Sequence, residues 1–430
     1  MQRRDFIIKS AIGGITASAF PNIVLAKRHK IYSVALIGTG WWGMNILTTA
    51  IASGTCKVVA LCDVDQKQLD MALEKVKELT GTIPVQYKDY RELLEKEKPE
   101  IAIIATPDHW HALPAIKALK TGCHLYLEKP IAHTINEGKA IVAAQKKYGG
   151  VVQVGLHRHA APHNISGMEF LKSGKVGDIK MVRAFVDYNY NERRLRPDEK
   201  PPKGLDWDMW CGPAPKHNYN PSIHPKGFRN YLDYSNGMCA DWGVHWMDQI
   251  LWWSEEKHPK SVYSTGGVFN KFSRANSPDW QTATFEFESF TAQWEHRRMG
   301  GSNTEKHNIG VYFYGTKGTF HMGWLDGWTY YPSAKGAQEV HMDHSLHMPD
   351  QQNIPELWDD FIKAIETGKK PIADIRNSHY ATNMSLLAIM SYKLGRSVNW
   401  DGKKQLIVGD DEAKKMMSRK YRKPWDYPKA

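Results

Sequence analysis

A glycine-rich turn between a strand and a helix most constrains what this chain can fold into. The apolar run from Ile31 to Ile37 predicts a strand that leads directly into Gly38-Thr39-Gly40-Trp41-Trp42-Gly43, and a helical stretch follows through Ala52. A second strand, Lys57 to Cys62, is predicted next, and Asp63 ends it, 20 residues after Gly43. A glycine pattern alone is weak evidence, but this context is typical of a dinucleotide-binding βαβ unit.

The three glycines have separable physical roles. Gly38 permits the tight turn, Gly40 lets the backbone approach a pyrophosphate, and Gly43 lets the helix lie close to the strand. The first N–H groups of the helix then face the phosphates. Asp63 can accept hydrogen bonds from the adenosine ribose, and together with Asp65 it would repel a 2′-phosphate, so NAD is expected rather than NADP. The alternative is a glycine-rich turn that binds nothing.

Strands and helices continue to alternate up to residue 155. The predicted helices are Leu69 to Leu79, Asp89 to Glu95, Pro114 to Lys120 and Asn136 to Lys147, and the predicted strands are Ile101 to Ala105, His124 to Leu127 and Val151 to Val154. The run from Ile101 to Ala105 is apolar throughout, as expected of a strand buried on both faces. Two polar segments follow such strands, at the edge where cofactors bind: Thr106-Pro107-Asp108-His109-Trp110-His111 and Glu128-Lys129-Pro130.

With Glu128-Lys129-Pro130, the chain resembles the Gfo/Idh/MocA family, the glucose–fructose oxidoreductase and inositol dehydrogenase group. The resemblance spans almost all of the chain after the N-terminal segment. It includes Val152-Gln153-Val154-Gly155, Trp207-Asp208-Met209-Trp210-Cys211-Gly212-Pro213, the run from Gly237 to Asp248, Gly395-Arg396 and Trp400-Asp401.

The resemblance implies an α/β fold: a Rossmann-type doubly wound parallel sheet, followed by an α/β domain with an open, mostly antiparallel mixed sheet. The expected division is a signal at 1–30, an NAD-binding domain at 31–155 and a substrate and oligomerisation domain at 156–430. A homo-oligomer, dimer or tetramer, is expected. Segments 180–187, 281–288, 291–295 and 310–314 have strand-like patterns, and Glu356 to Glu366 and His379 to Leu394 have helical ones.

Three side chains form the predicted catalytic group. By the resemblance, Lys129 is a catalytic lysine, and Asp241 and His245 are the acid/base and substrate-binding pair. An ammonium at the end of a strand beside the nicotinamide can polarise the reacting oxygen. If the segment from Trp242 to Trp253 is helical, Asp241 and His245 project from one face, and the carboxylate can orient an imidazole that accepts the proton, with Asp248 behind it. A surface lysine and a structural Asp/His pair are the alternatives.

Further residues are expected around the cofactor. Glu128, Gln153 and His111 are expected to hold the nicotinamide ribose, and Arg229 and Trp207 are additional candidates for the cofactor or substrate edge. The complete set of predicted cofactor-binding residues is Gly38, Thr39, Gly40, Trp41, Trp42, Gly43, Asp63, Thr106, Pro107, His109, His111, Glu128, Lys129 and Gln153.

The first thirty residues have the layout of an export signal. Arg3 and Arg4 precede Phe6, a weakly apolar stretch runs from Ala11 to Phe20, and small residues at Val24-Leu25-Ala26 suit a cleavage site near Ala26. Paired arginines mark the twin-arginine class, so a periplasmic location is predicted. A basic N-terminal arm is the alternative. The following sequence has no apolar run long enough for a membrane span.

Composition narrows the partners. The formal charge is +11, but lysines and arginines are scattered and interleave with acids, which favours a solvated basic surface over nucleic-acid binding. Five cysteines without a Cys-x-x-Cys pattern predict free thiols. No metal site is expected at His341, His344 and His347 or at His157, His159 and His163, which lack a Cys partner or a helix that places the ligands.

The sequence therefore predicts an exported NAD-dependent oxidoreductase acting on a carbinol of a sugar or glycoside, with tightly bound NAD recycled in the site. One alternative is a redox-neutral NAD-dependent glycosidase or lyase acting through a transient 3-keto sugar, as the family's α-N-acetylgalactosaminidases do. Another is a non-catalytic sugar-binding protein, against which intact Lys129, Asp241 and His245 argue. Pocket loops rather than the fold select the substrate.

Overall fold

A six-stranded parallel sheet forms the first part of the molecule. The computed structural model describes residues 30–187, 196–269, 275–300, 305–347 and 352–429. The strands are β1 (Tyr32–Ile37), β2 (Cys56–Cys62), β3 (Val85–Tyr87), β4 (Ile101–Ile104), β5 (His124–Leu127) and β6 (Val152–Val154). Their order is β3-β2-β1-β4-β5-β6, and every pairing is parallel. The predicted doubly wound Rossmann sheet is confirmed.

Five α-helices connect these strands: α1 (Trp41–Ala52), α2 (Gln66–Thr80), α3 (Tyr90–Lys96), α4 (Ala112–Lys120) and α5 (Ile135–Tyr148). The predicted helices lie within two or three residues of them. Local sequence fixes the ends of α5, because Thr134 and Glu137 form a reciprocal capping box and Gly149 follows its last residue. β3 was not predicted from the sequence, because it has only three residues and none is fully buried.

The order of the strands creates the binding edge. The chain proceeds outward from β1 through β2 to β3, and then crosses back to β4 on the other side of β1. The loops after β1 and β4 therefore diverge and leave a crevice at the carboxyl ends of the strands, where open α/β sheets bind ligands. All four residues of β4 and all but Ser33 of β1 are buried, which makes this edge rigid.

A ten-stranded sheet forms the second part. Its strands are β7 (Ile179–Asp187), β8 (Ser261–Gly267), β9 (Trp280–Glu286), β10 (Thr291–Arg297), β11 (Ile309–Gly315), β12 (Gly318–Gly323), β13 (Trp328–Pro332), β14 (Val340–Met342), β15 (Val398–Asp401) and β16 (Leu406–Val408). Their order is β14-β13-β12-β11-β7-β10-β9-β8-β15-β16. β7 and β10 pair in parallel and the other pairs are antiparallel, so the expected mixed sheet is confirmed.

The helices of the second part are α6 (Pro162–Lys172), α7 (Trp207–Cys211), α8 (Gly237–Asp241), α9 (Gly243–Ser254), α10 (Ile354–Thr367), α11 (Ile375–Leu394) and α12 (Asp411–Met416). α9 and α11 pack against each other, and α11 also contacts β8 and α5. The predicted helix from Trp242 to Trp253 is α9, but Asp241 lies outside it as the last residue of α8. Trp242 separates the two helices.

All five cysteines are free thiols, as expected, and four of them are buried. Among the described residues, no helix combines the length and apolar character that crossing a bilayer requires. The predicted export signal, from Arg3 to the cleavage site near Ala26, lies outside the described residues.

Candidate active site

A cavity of about 850 Å³ opens at the carboxyl ends of β1, β2, β4 and β5 and extends towards α8 and α9. Its size lies within the range of small-molecule and cofactor sites. The sequence-predicted residues that line it are Gly38, Thr39, Gly40, Trp41, Trp42, Asp63, Thr106, Pro107, Glu128, Lys129, Arg229, Asp241 and His245, whereas Trp207 does not line it.

The glycine turn is shaped as its sequence predicts. Gly38 has a φ of +96°, and a Cβ there would lie 2.7 Å from the carbonyl of Ala105, so only glycine fits between β1 and β4. A Cβ on Gly43 would lie 2.1 Å from the backbone oxygen of Gly38, which is the close helix–strand approach expected at this position. A Cβ on Gly40 would meet nothing within 4 Å. The space beside Gly40 lies at the start of α1, where backbone N–H groups can bind phosphate.

The Asp63 carboxylate is fixed at the end of β2. Its Oδ2 accepts hydrogen bonds from the backbone N–H of Thr39 at 2.8 Å and from the Thr39 hydroxyl at 3.2 Å, and its Oδ1 accepts one from the N–H of Asp65 at 3.0 Å. Burial raises the pKa of Asp63, and these hydrogen bonds oppose that rise. Asp65 itself caps α2 and pairs with His224 at 3.0 Å. Of these two acids, Asp63 lines the cavity and Asp65 does not.

Lys129, Asp241 and Arg229 form a charged cluster on the cavity wall. Nζ of Lys129 donates to Oδ1 of Asp241 at 2.9 Å and to its backbone oxygen at 2.7 Å. Nε of Arg229 lies 3.1 Å from Oδ2 of Asp241. Burial alone would raise the pKa of Asp241, but the charges of Lys129 and Arg229 hold that pKa well below its usual range. Asp241 is therefore an ionised carboxylate between two cations.

His245 lies on α9 beside this cluster, with its side chain buried. Burial lowers the pKa of His245 well below its ordinary value, and the charge of Lys129 acts in the same direction. The imidazole is therefore neutral at neutral pH and free to accept a proton. Asp241, expected to orient this ring, contacts Lys129 and Arg229, whereas Nδ1 of His245 has no hydrogen-bond partner among the described residues. Asp248, expected behind the ring, pairs with His159 at 2.8 Å.

Two further carboxyl groups line the cavity. Burial raises the pKa of Glu128 to about 7, although the charge of Lys129 opposes the shift. Gly155 makes room for Glu128, since a Cβ at Gly155 would lie 2.1 Å from Oε1. Asp108 is also buried, and burial raises its pKa. A neutral carboxyl group can donate as well as accept hydrogen bonds, which suits binding to hydroxyl groups.

Four residues predicted to bind the cofactor do not line the cavity: Gly43, His109, His111 and Gln153. The ring nitrogens of His109 contact the backbone oxygens of Tyr234 and Trp210, and those of His111 contact the backbone oxygens of Pro130 and Thr106. The Gln153 amide bonds to the backbone of α10 and to the segment before α11. His109 and Gln153 thus join the two parts of the chain, whereas His111 ties together two loops of the first part.

Two further residues of the cavity wall, His157 and Trp324, were not among the residues predicted for catalysis or for cofactor binding. The Trp324 ring lies 5.2 Å from the ring of His245 and 4.8 Å from that of Trp242. His157 follows β6, so its place after a parallel strand was a usable signal. Trp324 follows an antiparallel strand far along the chain, and no local pattern marks it.

The fold and the cavity define a class: a Rossmann protein whose crevice joins a dinucleotide-binding turn to an acid–base cluster. The chain belongs to the Gfo/Idh/MocA oxidoreductase family. Residues 32–156 match the family's NAD-binding Rossmann fold, and residues 184–427 match its C-terminal alpha/beta domain. The cofactor is NAD, and the glycine turn with Asp63 provides the cradle that this dinucleotide requires.

Relatives with curated names are similar at low identity. A glycosyl hydrolase family 109 protein of Stenotrophomonas maltophilia is 22% identical over 393 residues, which cover 86% of this chain and 81% of that protein. An α-N-acetylgalactosaminidase of Shewanella oneidensis is 31% identical over 118 residues, 26% of each chain. YteT, a Bacillus subtilis protein named as an oxidoreductase, is 21% identical over 49% of this chain and 43% of its own length. The chain therefore spans less than half of the last two relatives.

Two solved structures illustrate the likeness of fold. The aldose–aldose oxidoreductase of Caulobacter crescentus, complexed with glycerol, superposes with a TM-score of 0.65 at 18% identity, covering 86% of this chain and 99% of that one. The WlbA dehydrogenase of Bordetella pertussis, in complex with NADH and UDP-GlcNAcA, gives a TM-score of 0.64 at 18% identity, covering 86% and 99%. At this identity the likeness concerns the fold alone.

Proposed function

We propose that this protein is an exported enzyme that oxidises a carbinol of a sugar or glycoside, with a tightly bound NAD that is recycled in the site. The observation that carries the proposal is the placement of Lys129, Asp241 and His245 on one cavity wall, continuous with the glycine turn. A protein that only binds a sugar does not require an ion pair and a neutral imidazole beside the nicotinamide end of the cavity.

The chain's own residues divide the work. NAD, when bound, supplies the acceptor for the hydride that leaves the carbinol carbon. His245, neutral because it is buried, accepts the hydroxyl proton. The ammonium of Lys129 stabilises negative charge that develops on the reacting oxygen. Asp241 holds Lys129 through two hydrogen bonds, and its pairing with Arg229 keeps it ionised throughout.

The cavity wall suits a polyol. The Glu128 carboxyl, with its pKa raised to about 7, can bond hydroxyl groups as donor or acceptor, and the Asp108 carboxyl can accept hydrogen bonds from them. Trp242 and Trp324 offer aromatic faces of the kind that pack against the C–H face of a sugar ring. The two solved structures point to the same class of compound, since one protein is named for aldoses and the other holds UDP-GlcNAcA.

A redox-neutral glycosidase or lyase is the second candidate. The resemblance to proteins named as family 109 glycosyl hydrolases favours it. In that reaction NAD would accept the hydride and the same acid–base group the proton as the sugar is oxidised to a transient 3-keto form. The glycoside would then be cleaved, and the hydride and proton would return to the sugar. The substrate would leave at its original oxidation level.

One experiment separates the two candidates. Purified protein is incubated with a panel of glycosides without added NAD, and the products are identified by mass spectrometry. A net oxidoreductase gives a product lighter by two hydrogen atoms, together with a reduced second sugar when one is supplied. A redox-neutral enzyme releases the free sugar and its aglycone. If neither product forms with any glycoside, and none forms when NAD is then added, the proposed substrate class is wrong. The Lys129→Ala variant provides the blank.

A further inference from the structure

Among the described residues, one group of His, Cys, Asp and Glu side chains gathers closely enough to share a metal ion: His307, His321 and Asp326. Their potential ligand atoms all lie within 4.8 Å of one another. His307 precedes β11, His321 lies in β12, and Asp326 lies in the turn between β12 and β13. This cluster is separate from the histidine runs discussed above, and none of its members lines the NAD cavity.

The contacts within the cluster leave a buried imidazole unsatisfied. Nδ1 of His307 lies 2.5 Å from Oδ2 of Asp326, so the two side chains are in direct polar contact. The His321 ring stacks on the His307 ring with centroids 3.7 Å apart. His321 is fully buried, yet neither of its ring nitrogens has a hydrogen-bond partner among the described residues. Burying a polar group without a partner is costly, which points to a ligand that satisfies it.

Two glycines clear the space around the ligand groups. A Cβ on Gly310 would lie 2.4 Å from Nε2 of His321, so the ring packs directly on the backbone of β11. A Cβ on Gly323 would overlap Oδ1 of Asp326. Tyr331 places its hydroxyl 3.4 Å from Nε2 of His307, where it can orient that ring through the nitrogen that faces away from Asp326.

We propose that His307, His321 and Asp326 bind a structural Zn²⁺ ion. Two imidazole nitrogens and one carboxylate oxygen form a ligand set that zinc accepts, with a water molecule in the fourth position. Ligand atoms of a tetrahedral zinc ion lie about 3.3 Å apart, so binding the ion requires the His307 ring to leave its stack on His321 and move away from Asp326. The imidazole nitrogens that bind the ion must be unprotonated, so zinc binding should weaken in acid.

The site would fix a wall of the active site. Trp324 lies between His321 and Asp326 in the sequence, and its ring lies 5.2 Å from that of His245. The Arg158 guanidinium also contacts this ring, 3.7 Å from its centre. An ion that ties the end of β12 to the following turn therefore holds Trp324 against the catalytic group, which makes the metal structural.

The test measures zinc and not activity, so its outcome does not depend on the proposed function. Wild-type protein is stripped with a chelator, incubated with ZnCl₂, desalted and analysed by elemental mass spectrometry, and its thermal midpoint is recorded with and without ZnCl₂. The site variants are His321→Ala and Asp326→Asn; the second keeps the shape of the partly exposed Asp326 side chain. His341→Ala is the matched control, because His341 is an exposed histidine of β14 whose ring contacts Asp343 and Thr329.

We expect one Zn²⁺ per chain in the wild type and in His341→Ala, with a thermal midpoint raised by zinc. Asp326→Asn should bind zinc at least about tenfold more weakly and lose that rise, and His321→Ala should behave likewise if it folds. Zinc absent from the wild type, or retained equally by Asp326→Asn, overturns the proposal. The cluster would then be a histidine–aspartate ion pair stacked on a neutral imidazole.

Discussion

The ammonium group of Lys129 is held by one residue, Asp241, through both its carboxylate at 2.9 Å and its backbone oxygen at 2.7 Å. Lys129 follows β5 of the parallel sheet, whereas Asp241 ends α8, more than a hundred residues later. The acid–base group is therefore assembled only when the two parts of the chain have packed together. A lysine so held cannot swing out of the site, which favours a role on the reacting oxygen.

We expect Lys129→Ala and His245→Ala each to lower turnover by at least about a hundredfold, the scale for losing an acid–base group. NAD should remain bound, because the glycine turn and Asp63 are unchanged in both variants. Turnover is followed by product formation, and bound NAD by mass analysis of the denatured protein. Lys120→Ala, an exposed lysine at the end of α4, is the control. Near-normal turnover in either variant removes that residue from the mechanism.

Gly40 and Gly38 should respond differently to alanine. A Cβ on Gly40 enters open space in the cavity, and its φ of −65° suits alanine, so Gly40→Ala should fold normally but lose NAD affinity. A Cβ on Gly38 meets the Ala105 carbonyl at a φ that alanine rarely adopts, so Gly38→Ala should also lose stability, by about 1 kcal/mol or more. Urea unfolding of cofactor-free protein and titration with NAD check both. Equal destabilisation by the two substitutions would contradict this assignment.

Much of this site could be predicted because its residues stand at the ends of parallel strands. Gly38, Asp63, Thr106 and Lys129 each follow a strand whose apolar run is visible in the sequence, and all of them line the cavity. Parallel topology brings such ends to one edge, so local pattern predicts long-range proximity there.

The side-chain contacts of the other site residues depend on tertiary packing, which the local sequence pattern does not predict. His109 and His111 also follow a strand, but their side chains turn inward and bond to backbone carbonyl groups. The i,i+4 spacing predicted that Asp241 would contact His245. The helix is interrupted at Trp242, however, and the Asp241 carboxylate contacts Lys129 instead. Trp324 reaches the site across an antiparallel sheet, in which neighbouring strand ends do not share one edge.

Burial of Glu128 should make stability depend on pH. Its pKa is raised to about 7 in the folded state, above the ordinary 4.5, so the native protein binds the proton more tightly. The contribution of Glu128 to the free energy of unfolding is fully present below pH 4.5. It is lost as the pH rises to about 7, by up to about 3 kcal/mol. Glu128→Gln should not show this loss. The urea midpoint of the variant should therefore rise relative to that of the wild type as the pH increases from 4.5 to about 7. A constant difference would mean that Glu128 is ionised in the native protein.

The preference for NAD over NADP should depend on Asp63, whose carboxylate lies at the end of β2 beside the glycine turn. A 2′-phosphate there would face a fixed negative charge. We expect denatured wild-type protein to release NAD. In Asp63→Ser, the ratio of the dissociation constant for NADP to that for NAD should fall by at least about tenfold. Release of NADP from the wild type would contradict the role assigned to Asp63.

Retention of NAD through many turnovers links the proposed export to the proposed chemistry. A twin-arginine signal directs folded cargo, and the periplasm offers no obvious pool of free nicotinamide, so a cofactor lost in each cycle would not be replaced. The hydride taken from one sugar must then return to a molecule that enters the same cavity: a second sugar, or the same substrate after cleavage. Tight retention would also raise the free energy of unfolding.

The test is to export the protein, purify it, dialyse it extensively, and record its absorbance spectrum and the mass of any released dinucleotide. We expect about one NAD per chain after dialysis, and turnover without added NAD when a second sugar is present. A single turnover without that sugar would fit the same scheme, because the hydride has nowhere to go. An empty protein that works only with added NAD would be an ordinary dehydrogenase that draws on a cytoplasmic pool.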